Sequence, residues 1–346
     1  MRITPQQAER AIYIDFECLA TDPPHPALLG ILGSGDDFEQ LIVDERLAPA
    51  RVASRNVRVL DARTAIEELV RRAAGADRLV VGWSFFDRHV AIRIAPHLAN
   101  ALHARYRNAI QTARPWRQAI HPSVQVTRDD DFAPKHTLDK YAALTQYPDA
   151  RRLLNAEPAK WIRHTLDQLA ATGGRYRATT FQTKRDWHKL LDYNRHDCLA
   201  LRHITQKASA ELESWRGFQT ATYSAFEDGR EVCFTVGSRS RRLHALLERH
   251  RARQWAFLTA WNPAPQTLSR EENHLRQRDL IAALTREDYN VLPGVSRAVD
   301  GSWEEESLLV LNISRGAAVA LARKYGQLAI VFGEKAGPAT LVSSAL

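Results

Sequence analysis

The sequence predicts an α/β protein: a mixed sheet flanked by helices, followed by a small C-terminal α+β domain. Three observations predict it. Strand and helix signals alternate through the first hundred residues. A long amphipathic pattern runs over residues 185–210. From Gly217 the texture changes to short strands between capped helices. The last observation puts a boundary near residues 215–218 and divides the chain into domains 1–216 and 217–346.

The first strand is Ile12-Tyr13-Ile14-Asp15-Phe16-Glu17, apolar and β-rich until two acids one residue apart. Side chains alternate along a strand, so Asp15 and Glu17 share a face. Two like charges held together favour a divalent cation between them, and hard cations prefer carboxylate oxygens. The alternative is a frayed strand end with hydrated acids.

Prolines in Thr21-Asp22-Pro23-Pro24-His25-Pro26 exclude regular structure there. Residues 27–32 and 38–43 read as two further strands around the turn Gly33-Ser34-Gly35-Asp36-Asp37, which predicts an antiparallel meander. Asp61 is an N-cap for a helix whose buried face holds Ala65, Ile66, Leu69, Val70 and Ala73, closed at Gly75. Residues 79–81 are a short buried strand, and residues 91–102 are helical. Between 104 and 185, Pro115, Pro122, Pro134, Pro148 and Pro158 break the chain into short pieces. The 185–210 helix buries Trp187, Leu190, Leu191, Leu201 and Ile204.

The second part begins with two strands in residues 223–236 around an Asp228-Gly229 hairpin turn. A basic helix over 240–253 follows, then a strand (255–261), a helix (269–284), a strand (308–313), a helix (314–325) and a strand (328–332). Ser269 and Glu272 form a capping box. The basic helix carries Arg239, Arg241, Arg242, Arg249, Arg251 and Arg253. It reads as an amphipathic helix with a solvated face, or else as a phosphate-tracking surface.

Composition sets the outer limits. The chain has 346 residues, 45% hydrophobic and 25% charged, with a net charge of +8. That charge suits a polyanionic partner, although an Arg-rich codon bias accounts for it equally well. No apolar run is long enough for a bilayer, and the N-terminus lacks a secretory core. Cys18, Cys198 and Cys233 form neither zinc spacing nor a disulfide framework, which points to the cytoplasm.

Two later acids extend the Asp15/Glu17 pair. Asp87 follows a buried strand, in Gly82-Trp83-Ser84-Phe85-Phe86-Asp87, where a plain helix cap is the alternative. Asp197 lies four residues after Tyr193 on the long helix, so the two share a face. Together this set resembles the DEDD superfamily of 3′–5′ exonucleases, the DnaQ-like branch with a ribonuclease H-like fold, in its tyrosine subtype. The resemblance spans about residues 10–210. It departs in the middle motif, where many members carry Asn and this chain has Trp83-Ser84.

The resemblance implies two Mg²⁺ or Mn²⁺ ions held by Asp15, Glu17, Asp87 and Asp197, with Tyr193 positioning water, and hydrolysis of terminal phosphodiesters of DNA or RNA at a single-stranded end. An endonuclease on the same fold, a binding module without turnover and a ligand-sensing regulator are the competing readings. His196 points elsewhere on the helix. Residues 218–346 resemble a bacterial domain family of unknown function through Trp255-Ala256-Phe257-Leu258-Thr259-Ala260-Trp261-Asn262-Pro263, Glu272-Asn273 with Arg276, Leu292-Pro293-Gly294, Trp303-Glu304-Glu305-Glu306-Ser307 and Tyr325-Gly326-Gln327. Asn262, Glu306 and Gln327 fall at predicted element ends, where a polar pocket for a nucleotide or small ligand would form.

Overall fold

A computed structural model describes residues 2–345 apart from Asp36, Arg55, 125–135 and 264–265. Asp36 of the expected first turn and Pro134 therefore lie outside the described residues. The chain divides into two compact units. One is Met1–Arg114 with Val126–Ser209; the other is Pro115–Gln125 with Ala210–Leu346. The division falls inside the long helix, a few residues before the expected boundary. Pro115–Gln125 joins the second unit because Trp116 Nε1 donates to Glu211 Oε2 (2.6 Å) and Ser343 Oγ donates to the Ile120 carbonyl (2.6 Å).

In the first unit, a short helix α1 (Pro5–Arg10) leads into β1 (Ile12–Leu19), β2 (His25–Leu32) and β3 (Phe38–Ile42), the expected antiparallel meander. Then come β4 (Val57–Val59), α2 (Ala62–Gly75), β5 (Val80–Gly82), α3 (Phe86–Ile94), α4 (Ala99–Arg105) and β6 (Tyr106–Asn108). The sheet runs β4-β3-β2-β1-β5-β6 and is mixed, since β4, β5 and β6 each pair in parallel. The expected helix over 91–102 is two helices. Pro96, which has no N–H to donate, opens a 3₁₀ turn (Pro96–Leu98) between them. Pro26, expected outside regular structure, lies in β2 opposite Cys18, where the register shifts and the missing donor matters least.

The proline-rich middle contains α5 (Ile110–Ile120), α6 (Leu138–Leu144) and α7 (Pro158–Ala171) before α8 (Phe181–Thr220), a helix of 40 residues. The sheet is packed on both faces. Ile12, Ile14 and Phe16 of β1 bury with Ala65, Ile66 and Leu69 of α2 and Val90 and Ala91 of α3. On the opposite face Tyr13 packs with Cys198 and Leu201 of α8. Alternation along β1 thus places Asp15 and Glu17 on the α8 side.

The second unit has one antiparallel sheet, ordered β13-β12-β9-β11-β10-β7-β8. Its elements in chain order are β7 (Thr222–Glu227), β8 (Arg230–Thr235), α9 (Arg241–Arg249), β9 (Gln254–Leu258), α10 (Arg270–Arg286), β10 (Asn290–Arg297), β11 (Glu304–Leu311), α11 (Arg315–Lys324), β12 (Ala329–Glu334) and β13 (Thr340–Ser343). The β7–β8 turn has Asp228 and Gly229 both at positive φ (48° and 75°), as a two-residue hairpin requires. Strands β9, β11 and β12 split their residues between two cores. Trp255 and Phe257 of β9 pack with Leu243, Leu246 and Leu247 of α9, whereas Ala256 and Leu258 pack with Leu280 and Leu284 of α10 and Ala318 of α11. The basic helix is shorter than expected and ends at Arg249, so Arg251 and Arg253 lie beyond it. Among the described residues, no helix is long and apolar enough to cross a membrane.

Candidate metal centre

Three of the four acids converge. One carboxylate oxygen from each of Asp15, Glu17 and Asp197 lies within 4.8 Å of the other two. The first two come from one face of β1, and the third comes from α8 lying across that face. Glu17 and Asp197 are 5% and 7% exposed. Glu17 Oε1 and Asp197 Oδ1 are buried with no hydrogen-bond donor. Leaving such atoms unpaired costs about 1–3 kcal/mol each, and more when they are charged. This is the donor set a hard divalent cation requires, so the residues fit the implied Mg²⁺ or Mn²⁺.

The electrostatics agree. Burial, opposed by hydrogen bonds from Asn194 and with Glu17, pushes the Asp15 carboxyl up to about 6. Burial and the neighbouring acids, Asp15 foremost, hold Glu17 and Asp197 well above the carboxylate range. With no cation present, burial and mutual repulsion favour the protonated forms of these carboxyls.

Asp87 is close but held differently. It is 4% exposed in the first turn of α3 and belongs to no cap, since the N-cap position is Phe85. Its Oδ1 accepts the Phe16 N–H of β1 (3.1 Å), and the Tyr106 hydroxyl stands 3.4 Å from its Oδ2. Burial and then Asp15 raise its carboxyl to about 7. It lies outside the 4.8 Å group while sharing the group's field. Gly82 permits this packing: a Cβ there would strike the Tyr106 hydroxyl and come within 2.8 Å of Asp87 Oδ2.

Tyr193 lies one turn before Asp197, with its phenol held far above its usual range by burial and then by Asp197. Trp161 of α7 meets its ring edge-on at 6.2 Å. His196 faces away: its Nδ1 lies 2.9 Å from the Tyr147 hydroxyl. Trp83 of the middle motif donates from Nε1 to the His136 carbonyl (2.8 Å) and so supports the loop before α6.

The residue that sequence reasoning overlooked is Asn194, which is fully buried. Its Nδ2 donates to the Asp15 carbonyl (3.1 Å) and to Asp15 Oδ2 (3.0 Å). Gln40 Nε2 donates to Asn194 Oδ1 (3.0 Å) and to the Leu191 carbonyl (2.9 Å), which fixes the amide from the β3 side. The signal was available. Asn194 lies four residues after Leu190 and seven before Leu201, on the buried stripe of α8.

The comparisons with known proteins bear on the other unit. Residues 258–330 match one family model, described as a protein of unknown function (DUF3293). No curated protein matches the chain. The matched stretch runs from the end of β9 into β12, and its polar residues gather around the loop after β9. Asn262, at φ 42°, donates its N–H to Asn273 Oδ1 (2.8 Å). Gln277 Oε1 accepts the Ala260 N–H (2.9 Å), Arg276 Nε donates to the Ala260 carbonyl (2.8 Å), and Gln327 Nε2 donates to the Trp261 carbonyl (2.5 Å). Ser269 and Glu272 form the expected capping box. Of the three predicted pocket residues, Asn262 and Gln327 meet at this loop, whereas Glu306 pairs with His274 (3.4 Å).

Proposed function

We propose that the first unit is a divalent-metal-dependent phosphodiester hydrolase, acting as a 3′–5′ exonuclease of the DEDD tyrosine subtype on nucleic acid with a single-stranded end. The observation that carries this reading is the convergence of half-buried Asp15 with buried Glu17 and Asp197, the latter two with carboxylate oxygens that no protein donor satisfies. Asp15, Glu17 and Asp197 would hold Mg²⁺ or Mn²⁺, with Asp87 completing the set. When bound, a pair of such ions supplies charge neutralisation at the scissile phosphate and activation of the attacking water.

The chain's own residues do the rest. Asn194 fixes Asp15 at both its carbonyl and its carboxylate. The Phe16 N–H and Tyr106 lock Asp87 at the rim. Tyr193 keeps its proton at any working pH, so it orients water by hydrogen bonding and does not serve as a base. A mixed sheet with the acids on one strand and one crossing helix is consistent with a ribonuclease H-like fold.

The test is product analysis on end-labelled single-stranded DNA and RNA with Mg²⁺ or Mn²⁺. Stepwise release of mononucleotides from the 3′ end, abolished by EDTA and by Asp15→Asn or Asp197→Asn, is the expected result. Full release by either folded variant would refute the proposal.

A further inference from the structure

The second unit contains a cavity of about 880 Å³, in the range of small-molecule sites. Its chemistry runs against the rest of the chain. The protein has a net charge of +8, yet the charged side chains on this wall are Glu213, Asp300 and Glu305 against Arg216. Two aromatic rings line the same space: Phe218 and Trp303, edge to face with centroids 6.1 Å apart.

Glu305 is the built part of the site. It sits half-buried at the start of β11 and accepts from Asn262 Nδ2 at Oε1 (2.8 Å). Asn262 is itself fixed, since its Oδ1 accepts from the Leu268 N–H (3.0 Å) and from Asn273 Nδ2 (2.9 Å). The chain Asn273–Asn262–Glu305 therefore positions the carboxylate through two amides. Among the described residues, Glu305 Oε2 has no donor. Burial lifts this carboxyl above its ordinary range, so a cation arriving beside it relieves a standing cost. Asp300, in the turn before β11, accepts from the Ser302 N–H and hydroxyl, which holds its carboxyl below the usual range and keeps it charged.

We propose that this cavity binds a small organic cation of the guanidinium class. A planar guanidinium presents paired N–H donors to a carboxylate and lays its face on an indole, and Glu305 and Trp303 both line this cavity. Phosphate-bearing ligands are disfavoured by three acids against one arginine. The site is independent of the nuclease reading and lies wholly within the second unit.

The experiment is calorimetric titration of the full chain with agmatine, with acetyl-arginine-amide as the peptide-like form and guanosine monophosphate as the anionic comparison. Agmatine or the arginine amide should bind and guanosine monophosphate should not; the tighter of the two cations identifies a free metabolite or a peptide side chain as the source. Glu305→Gln should weaken cation binding about 10- to 100-fold, and Trp303→Leu about 3- to 30-fold. Asp300→Asn keeps the turn's hydrogen-bond acceptor and so retains the fold; it should weaken binding a few-fold. No heat with either cation, binding of guanosine monophosphate in their place, or undiminished affinity in folded Glu305→Gln would overturn the proposal.

Discussion

Four carboxyl groups crowd into one region, and with no metal ion to balance their charge, burial and mutual repulsion favour their protonated forms. Asp15 titrates near 6 and Asp87 near 7 in the folded chain, both above the ordinary carboxylate value near 3.9. A raised folded-state pKa contributes stability that is complete below the unfolded value and lost as pH rises through the folded one. The metal-free protein should therefore lose stability between about pH 4 and pH 7 from these groups. For Asp15 alone the loss is on the order of 3 kcal/mol. Thermal melts in EDTA across that window should show a falling Tm, and Mn²⁺ should restore it most strongly at the alkaline end. A metal-induced shift equally large at pH 4 would contradict this. Glu17→Gln should raise the EDTA melting temperature at pH 8 and abolish the Mn²⁺ response. Asn194→Ala removes the donor that fixes Asp15 and one of the two acceptors of Gln40 Nε2. It should cost about 1–3 kcal/mol by urea denaturation and lower the proposed nuclease activity further than stability alone explains.

Elements meet in this site only because certain glycines let them. A Cβ on Gly30 of β2 would lie 2.5 Å from Asn194 Oδ1 and 2.9 Å from Cys198 Sγ, so α8 rests directly on that backbone. Gly30→Ala should push α8 outward, destabilise by about 1–3 kcal/mol, and weaken Mn²⁺ binding by moving Asp197 away from β1. Titration of the folded variant checks it. The meander, the Asp61-capped helix and the buried stripe of α8 were legible because each carries its own period. The segment between β6 and α8 was not, since its short pieces owe their shape to what they pack on. Strand β10 was missed because Pro293-Gly294 reads as a turn. Pairing with β7 begins only at Gly294, and that glycine lets the Phe257 ring approach to 2.6 Å of where a Cβ would stand. The strand period paired Asp15 with Glu17 and the helix period paired Tyr193 with Asp197, but that the two pairs belong together came only from the family resemblance. Asp87 was visible as an acid after a strand, but its anchor on the Phe16 N–H was not, because that contact spans 71 residues.

At the scale of the whole molecule, both units carry an acidic candidate site within a basic chain. The first gathers acids that call for inorganic cations. The second encloses an acidic, aromatic cavity within a basic chain. The basic helix α9 buries three leucines, and Arg249 is paired with Glu227, which leaves Arg241 and Arg242 exposed at its start. A contact with nucleic acid there would show in the salt dependence of binding. Since an exposed cation pair needs no such partner, reversing Arg241 and Arg242 to Glu should leave that slope unchanged. The central claim is that β1 and α8 bring distant acids together to hold a divalent ion. Its most direct test is Mn²⁺ titration of the full chain followed by electron paramagnetic resonance, comparing wild type with Asp197→Asn. The account predicts saturable Mn²⁺ binding in the wild type and loss of at least most of it in the folded variant. Absence of binding in the wild type, or equal binding in Asp197→Asn, would contradict it.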